Sequence, residues 1–309
     1  MKKLFLPFII VLIALLSVFP SNASIVSSVY PDFEFDADYD NAYSVAGYNG
    51  TGGEVIIPEE LYGREIKRFS EKAFYKNSVI NSLYMHDKMT VVNKWAFRNC
   101  PNLSRVYFSK SLVSLWDFAF AQAPNLKSAF LRNTNLNTIY QSCFYNDTSL
   151  KHLSLPETLE TIGASAFSKT ALEIVVIPKS VTAINNNAFA NNENLREIYI
   201  PRSVKKIGKD VFAGSENVTV YVSENSETER YCEENSLKYK VIEESDFPSN
   251  LLGDVDNNRE LDVRDATAIM QEIAELELNF FAQNCDYNSD GELNVKDATM
   301  IMQHIAQIE

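Results

Sequence analysis

Oxygen-bearing side chains recur at a fixed spacing near the end of this chain. "DVDNNRELDVRD" (254–265) and "DYNSDGELNVKD" (286–297) each place carboxylates or amides at positions 1, 3, 5, 9 and 12 of a twelve-residue loop. In the first loop these are Asp254, Asp256, Asn258, Asp262 and Asp265; in the second, Asp286, Asn288, Asp290, Asn294 and Asp297. Position 7, where a backbone carbonyl serves, is Glu260 or Glu292. Hard oxygen donors at this spacing wrap a calcium ion, so two ions are expected. Gly291 fills the sharp turn at position 6, whereas Arg259 stands there in the first loop, where a side chain strains the turn and weakens that site. Two divalent ions would bring the net −10 of residues 250–309 to −6, so folding and calcium binding should be coupled.

The loops sit in two near-copies, 254–274 and 286–306, that agree at 12 of 21 positions. An amphipathic helix is expected after each, carrying Ala266, Ile269, Met270 and Ile273, or Ala298, Ile301, Met302 and Ile305. "DFPSNLLG" before the first loop leaves no room for an entering helix, and position 12 is Asp rather than Glu. With the leading Gly-Asp, these features resemble a type I dockerin over residues 251–309. The resemblance implies a small all-α module that binds, with calcium, a cohesin domain of a cellulosome scaffoldin, and hence a part in polysaccharide catabolism. It also implies cohesin contact through Val263, Arg264, Met270 and Gln271, or through Val295, Lys296, Met302 and Gln303. The two sets are nearly interchangeable, which would let the module dock in either of two orientations.

The elements that precede this tail are a repeat. Phenylalanines at 74, 97, 120, 144, 167, 189 and 212 are 22–24 residues apart, and five apolar positions travel with each. "VVIPKSVTAINNNAFANNENL" (175–195) shows the set: Val175, Ile177, Val181, Ile184, Phe189 and Leu195. A unit this short cannot bury its own apolar side, but stacked units share a core, which is a solenoid. The apolar-x-apolar run reads as a short strand with inward ends, ended by Pro at 58, 156, 178 and 201, and the stacked strands form a narrow parallel sheet. The pattern resembles the BspA-like leucine-rich repeats from about 47 to 240. The expected fold class is therefore α+β: a leucine-rich-repeat solenoid followed by the all-α dockerin. The expected divisions are a signal peptide (1–23), the repeat domain with its caps (24–242), a linker "EESDFPSN" (243–250) and the dockerin (251–309).

A solenoid is a scaffold, so its function rests on its surface. The middle residue of each strand should face away from the core: Ile56, Tyr84, Tyr107, Phe130, Ser154, Val176, Tyr199 and Tyr221. A row of exposed aromatics suits sugar rings or extended peptides, and Tyr84, Tyr107, Phe130, Tyr199 and Tyr221 are the candidate ligand-binding residues. The competing reading is that strand aromatics simply ladder against one another.

The net charge of −13 disfavours nucleic acid, whose affinity rests on Lys and Arg. Lys2, Lys3, the apolar stretch after them and "SNA" at 21–23 read as an export signal. No later segment is apolar enough to cross a bilayer, so the mature protein should be extracellular, held to a scaffold or cell surface through the dockerin. The four cysteines could form two disulfides, but each occupies a slot where sister segments carry another residue, which favours buried thiols. The three histidines (His86, His152, His304) also fall in variable slots, and no catalytic set can be assembled from them. The sequence therefore reads as a secreted, non-catalytic adaptor. The alternative is a scaffold-delivered regulator or inhibitor of proteases or competing enzymes, for which "EELYGREI" near the N-terminus is the only large insertion.

Overall fold

The computed structural model describes residues 25–26, 28–248, 297, 299 and 300. The expected signal peptide (1–23), the expected calcium-loop residues other than Asp297, and every expected cohesin-contact residue lie outside the described residues.

Each repeat contributes to two parallel sheets. The first follows the apolar-x-apolar pattern and is broken into three parts: Gly53–Ile56, Ile80–Tyr84 and Arg105–Tyr107; then Ser128–Phe130 with His152–Ser154; then Ile174–Val176, Glu197–Ile200, Thr219–Val222 and Tyr239–Val241. As expected, the ends of these runs point inward: Val175, Ile177, Ile198 and Ile200 are all buried. The second sheet is continuous and has eleven strands, most of its members being two-residue strands such as Val91–Val92, Ser114–Leu115, Thr138–Ile139 and Thr161–Ile162. The second residue of each is fully buried.

Between the two sheets the repeat phenylalanines stack into a ladder. Successive rings from Phe97 to Phe189 lie 5.1–5.6 Å apart at 4–11°. Each ring removed from water contributes about 2–3 kcal/mol. The turn around each ring is held by left-handed residues two before and two after it, as with Trp95 (φ 58°) and Asn99 (60°) around Phe97. Three residues past the Phe, most repeats carry a side chain that satisfies the turn backbone, as Asp147, Thr170, Asn192 and Ser215 do. Asn192 shows it best: its Oδ1 accepts from the Thr170 N–H at 2.7 Å, and its Nδ2 donates to the carbonyls of Phe167 and Phe189 at 2.9 and 3.2 Å.

Both ends of this core are covered. At the N-terminal end an antiparallel hairpin, Phe33–Ala37 with Tyr43–Tyr48, joins the continuous sheet, and Tyr48 stacks on Phe74 at 5.4 Å. Arg68 fixes this hairpin by pairing with Asp38 at 2.7 Å and Asp40 at 2.5 Å. At the other end lies the expected helix, Glu227–Glu234, capped by Ser226, whose side chain accepts from the Glu229 N–H at 3.1 Å. The "EELYGREI" insertion is a tight hairpin in which Glu60–Leu61 pairs with Arg64–Phe69 through a Tyr62–Gly63 turn.

Candidate functional site

The strand middles do share one face, in register: Ile56, Tyr84 and Tyr107 align, then Phe130 with Ser154, then Val176, Tyr199 and Tyr221. The expected row of exposed aromatics is corrected by their burial. Ile56 is 70% exposed, but Tyr107 and Tyr199 are only 7% and 8% exposed, and Ser154 is buried. Tyr84, Phe130 and Tyr221 are half-buried. The reason is stacking across the ladder: Tyr84 and Tyr107 lie 4.1 Å apart at 10°, and Tyr199 and Tyr221 lie 4.4 Å apart at 12°. Ser154 and Val176 separate the two pairs, so the face carries two aromatic patches.

The C-terminal patch is closed further. Lys240 lies over the Tyr221 ring at 5.3 Å, and the Tyr199 hydroxyl donates to Glu197 at 2.7 Å. Burial and the Glu197 carboxylate push the Tyr199 phenol well above its ordinary range. Residues 244–248 then fold back over this patch. The Glu244 carboxylate accepts from the Arg202 backbone N–H and the Ser223 hydroxyl, each at 2.9 Å, with Arg202 Nε at 3.3 Å. Phe247 is buried and meets Tyr199 edge-on at 6.1 Å and 66°. Burial opposes the charge on Glu244, yet the Arg202 and Ser223 donors, with Arg202 and Lys179 as nearby cations, hold its carboxyl below the usual range.

Arg202, Ser223, Glu244 and Phe247 were not legible as a group in the sequence. The one available signal was an aromatic residue inside a stretch whose composition reads as linker. The N-terminal patch is open: Ile56 and the Tyr84–Tyr107 pair sit on it, with His86 two residues past Tyr84. Burial lowers the His86 imidazole's pKa, and its Nδ1 accepts from the Lys88 N–H at 3.2 Å. Among the described residues no helix is long and apolar enough to cross a membrane.

These features define a leucine-rich-repeat solenoid. The family model for the BspA type leucine rich repeat region matches in six copies over residues 67–196 and 167–257, and the chain belongs to that family. The dockerin type I domain matches residues 252–306. Among solved structures, the chain is similar to a leucine rich cell surface protein from Faecalibacterium prausnitzii, with 24% identity and a TM-score of 0.58 over 67% of this chain and 56% of that one. It is also similar to a leucine-rich repeat protein of T. pallidum, with 23% identity and a TM-score of 0.58 over 68% of this chain and 95% of that one. At these identities the likeness concerns the fold. The chain thus spans little more than half of the Faecalibacterium protein's length. No curated protein matches it.

Dockerin domains mediate cohesin binding in cellulosomes, and type I dockerins bind calcium. One residue of the expected calcium loops is among the described residues. Asp297, at position 12 of the second loop, is helical and wholly buried. A carboxylate in such a place needs a cation or several donors around it.

Proposed function

We propose that this protein is a secreted, non-catalytic adaptor. Its dockerin fastens it to a cohesin of a scaffoldin in a calcium-dependent way, and its solenoid presents a ligand-binding face. The observation that carries this reading is the joining, on one chain, of a BspA-type solenoid to a dockerin type I domain at 252–306. Two ions are proposed, held by Asp254, Asp256, Asn258, Glu260, Asp262 and Asp265, and by Asp286, Asn288, Asp290, Glu292, Asn294 and Asp297. Calcium supplies the positive charge that lets these acidic loops close.

Ligand binding is proposed at the open N-terminal patch, where Tyr84 and Phe130 are half-exposed and Ile56 is exposed. A flat apolar surface of this kind suits a polysaccharide or an extended protein segment. Two measurements test the reading. Titration of the mature chain with a type I cohesin should give tight binding in calcium and none in chelator; equal binding in both would overturn calcium dependence. Retention on insoluble plant polysaccharide should be lost in Tyr84→Ala/Phe130→Ala. Absence of retention by the unaltered chain would remove the carbohydrate reading in favour of a protein ligand.

A further inference from the structure

Residues 244–248 fold back onto a part of the solenoid away from the N-terminal patch. The groups they meet belong to the repeats and do not depend on the segment that covers them. The Arg202 N–H follows Pro201 at the end of a strand, Lys179 occupies the equivalent place one turn earlier, and Ser223 lies one turn later. Together they present one backbone donor, one hydroxyl and two cations to a single carboxylate. Beside them the Tyr199 ring makes a T-shaped contact with an aromatic three residues further along the bound segment.

We propose that this anion pocket and the adjoining Tyr199 form a peptide-accepting site, filled here by the chain's own Glu244 and Phe247. In trans it would take a segment of another protein with the same chemistry: a carboxylate followed three residues later by an aromatic ring. The seated segment itself is the argument for that occupant, since it displays both the charge and the spacing the site accepts. Covalent attachment gives the segment an effective concentration of about 1 mM. A partner in trans competes against that concentration, so it displaces the segment when it binds the site more tightly than the segment itself does. Displacement frees five residues and adds up to about 17 Å to the reach of the chain that follows. Occupancy of this site therefore sets how far the C-terminal module stands from the solenoid. The site is separate from the open N-terminal patch and does not rest on its ligand.

The test uses the full chain and a synthetic peptide of residues 241–250 carrying 4-fluorophenylalanine at the Phe247 position, followed by fluorine NMR. In the full chain, Phe247→Ala/Glu244→Gln empties the site, and thermal melts confirm that the variant remains folded. The peptide should bind this variant at least tenfold more tightly than it binds the unaltered chain. A peptide with Gln and Ala at the two anchor positions should not bind. Adding Tyr199→Ala to the emptied variant should also abolish binding, and Arg202→Ala, which keeps the backbone N–H, should weaken it. Equal or absent binding of the peptide to the folded, emptied variant would overturn the proposal. Self-association of the unaltered chain that is lost in Phe247→Ala would assign the site to a second copy, and would overturn the assignment to a foreign partner.

Discussion

The ring of Tyr231 meets that of Phe212 edge-on, with centroids 6.5 Å apart and planes at 63°. Every earlier ring of the ladder has another phenylalanine on its C-terminal side, and Tyr231 supplies the last cover from the capping helix. Its hydroxyl also accepts the Val211 N–H at 3.0 Å.

The terminal layer of a solenoid has neighbours on one side alone, so its cap limits the whole array. Tyr231→Ala should cost about 3 kcal/mol in urea unfolding. Tyr231→Phe, which leaves the Val211 N–H without its acceptor, should cost about 1 kcal/mol. Hydrogen exchange in the alanine variant should speed up at 198–222 before it does so at 83–107. Uniform acceleration along the array would show that the cap does not act locally.

Asp147 occupies the column in which Asn192 donates to two carbonyls. Its Oδ1 accepts the Ala123 N–H at 2.8 Å, while Oδ2 is buried without a partner. Burial pushes this carboxyl well above the ordinary carboxylate range. The folded state therefore holds a proton that the unfolded chain releases near pH 4. The resulting stability is fully present below that pH and is lost as pH rises toward the folded value, at about 1.4 kcal/mol per pH unit. Asp147→Asn removes this dependence and supplies a permanent donor. The variant should melt above the parent at pH 8, with the gap closing toward pH 4. An unchanged gap across that range would refute the protonated carboxyl.

Gly52 and Gly53 both have positive φ, at 86° and 76°, yet they should respond differently to alanine. A β-carbon on Gly52 would fall 2.0 Å from the Val79 carbonyl oxygen, whereas one on Gly53 meets nothing within 4 Å. That carbonyl accepts the Gly53 N–H at 2.8 Å and helps hold the first strand of the array. Gly53→Ala should cost about 1 kcal/mol for its left-handed backbone. Gly52→Ala should cost at least about 2 kcal/mol, since it also breaks the strand contact. Similar melting points for the two variants would count against the clash.

Cys100, Cys143 and Cys232 are buried free thiols. Burial pushes Cys100 and Cys232 up to about 12 and drives Cys143 well above its usual value. A thiol reagent at pH 8 should leave all three unmodified in the native protein, by mass mapping, and label them in guanidinium. Rapid native labelling of any one would show that its layer opens locally.

The solenoid was legible because the phenylalanine spacing and its five companions repeat seven times with little variation. The continuous sheet was not, because strands of two residues carry no alternation: Thr161–Ile162 reads as one more apolar position. The left-handed turns were hidden for a related reason. Glycine usually marks such backbone, but here Lys72, Trp95, Phe118 and Ser142 adopt it, because carbonyls of the neighbouring repeats receive their N–H groups. On the outer face the choice of residues was correct in register and wrong in exposure for Tyr107 and Tyr199. Stacking between neighbouring repeats is a property of the array, and the Phe247 contact joins residues 48 positions apart. Neither shows in a single unit.

The fold-back of residues 244–248 also decides how the molecule bears load. The strand Tyr239–Val241 lies at the sheet edge, so a pull along its end would peel it away one hydrogen bond at a time. Tension arriving from beyond Pro248 meets the Phe247–Tyr199 and Glu244–Arg202 contacts first. Tyr199 sits on a strand two places in from that edge. Under such tension the strap should therefore yield first and lengthen the tether before load reaches the cap.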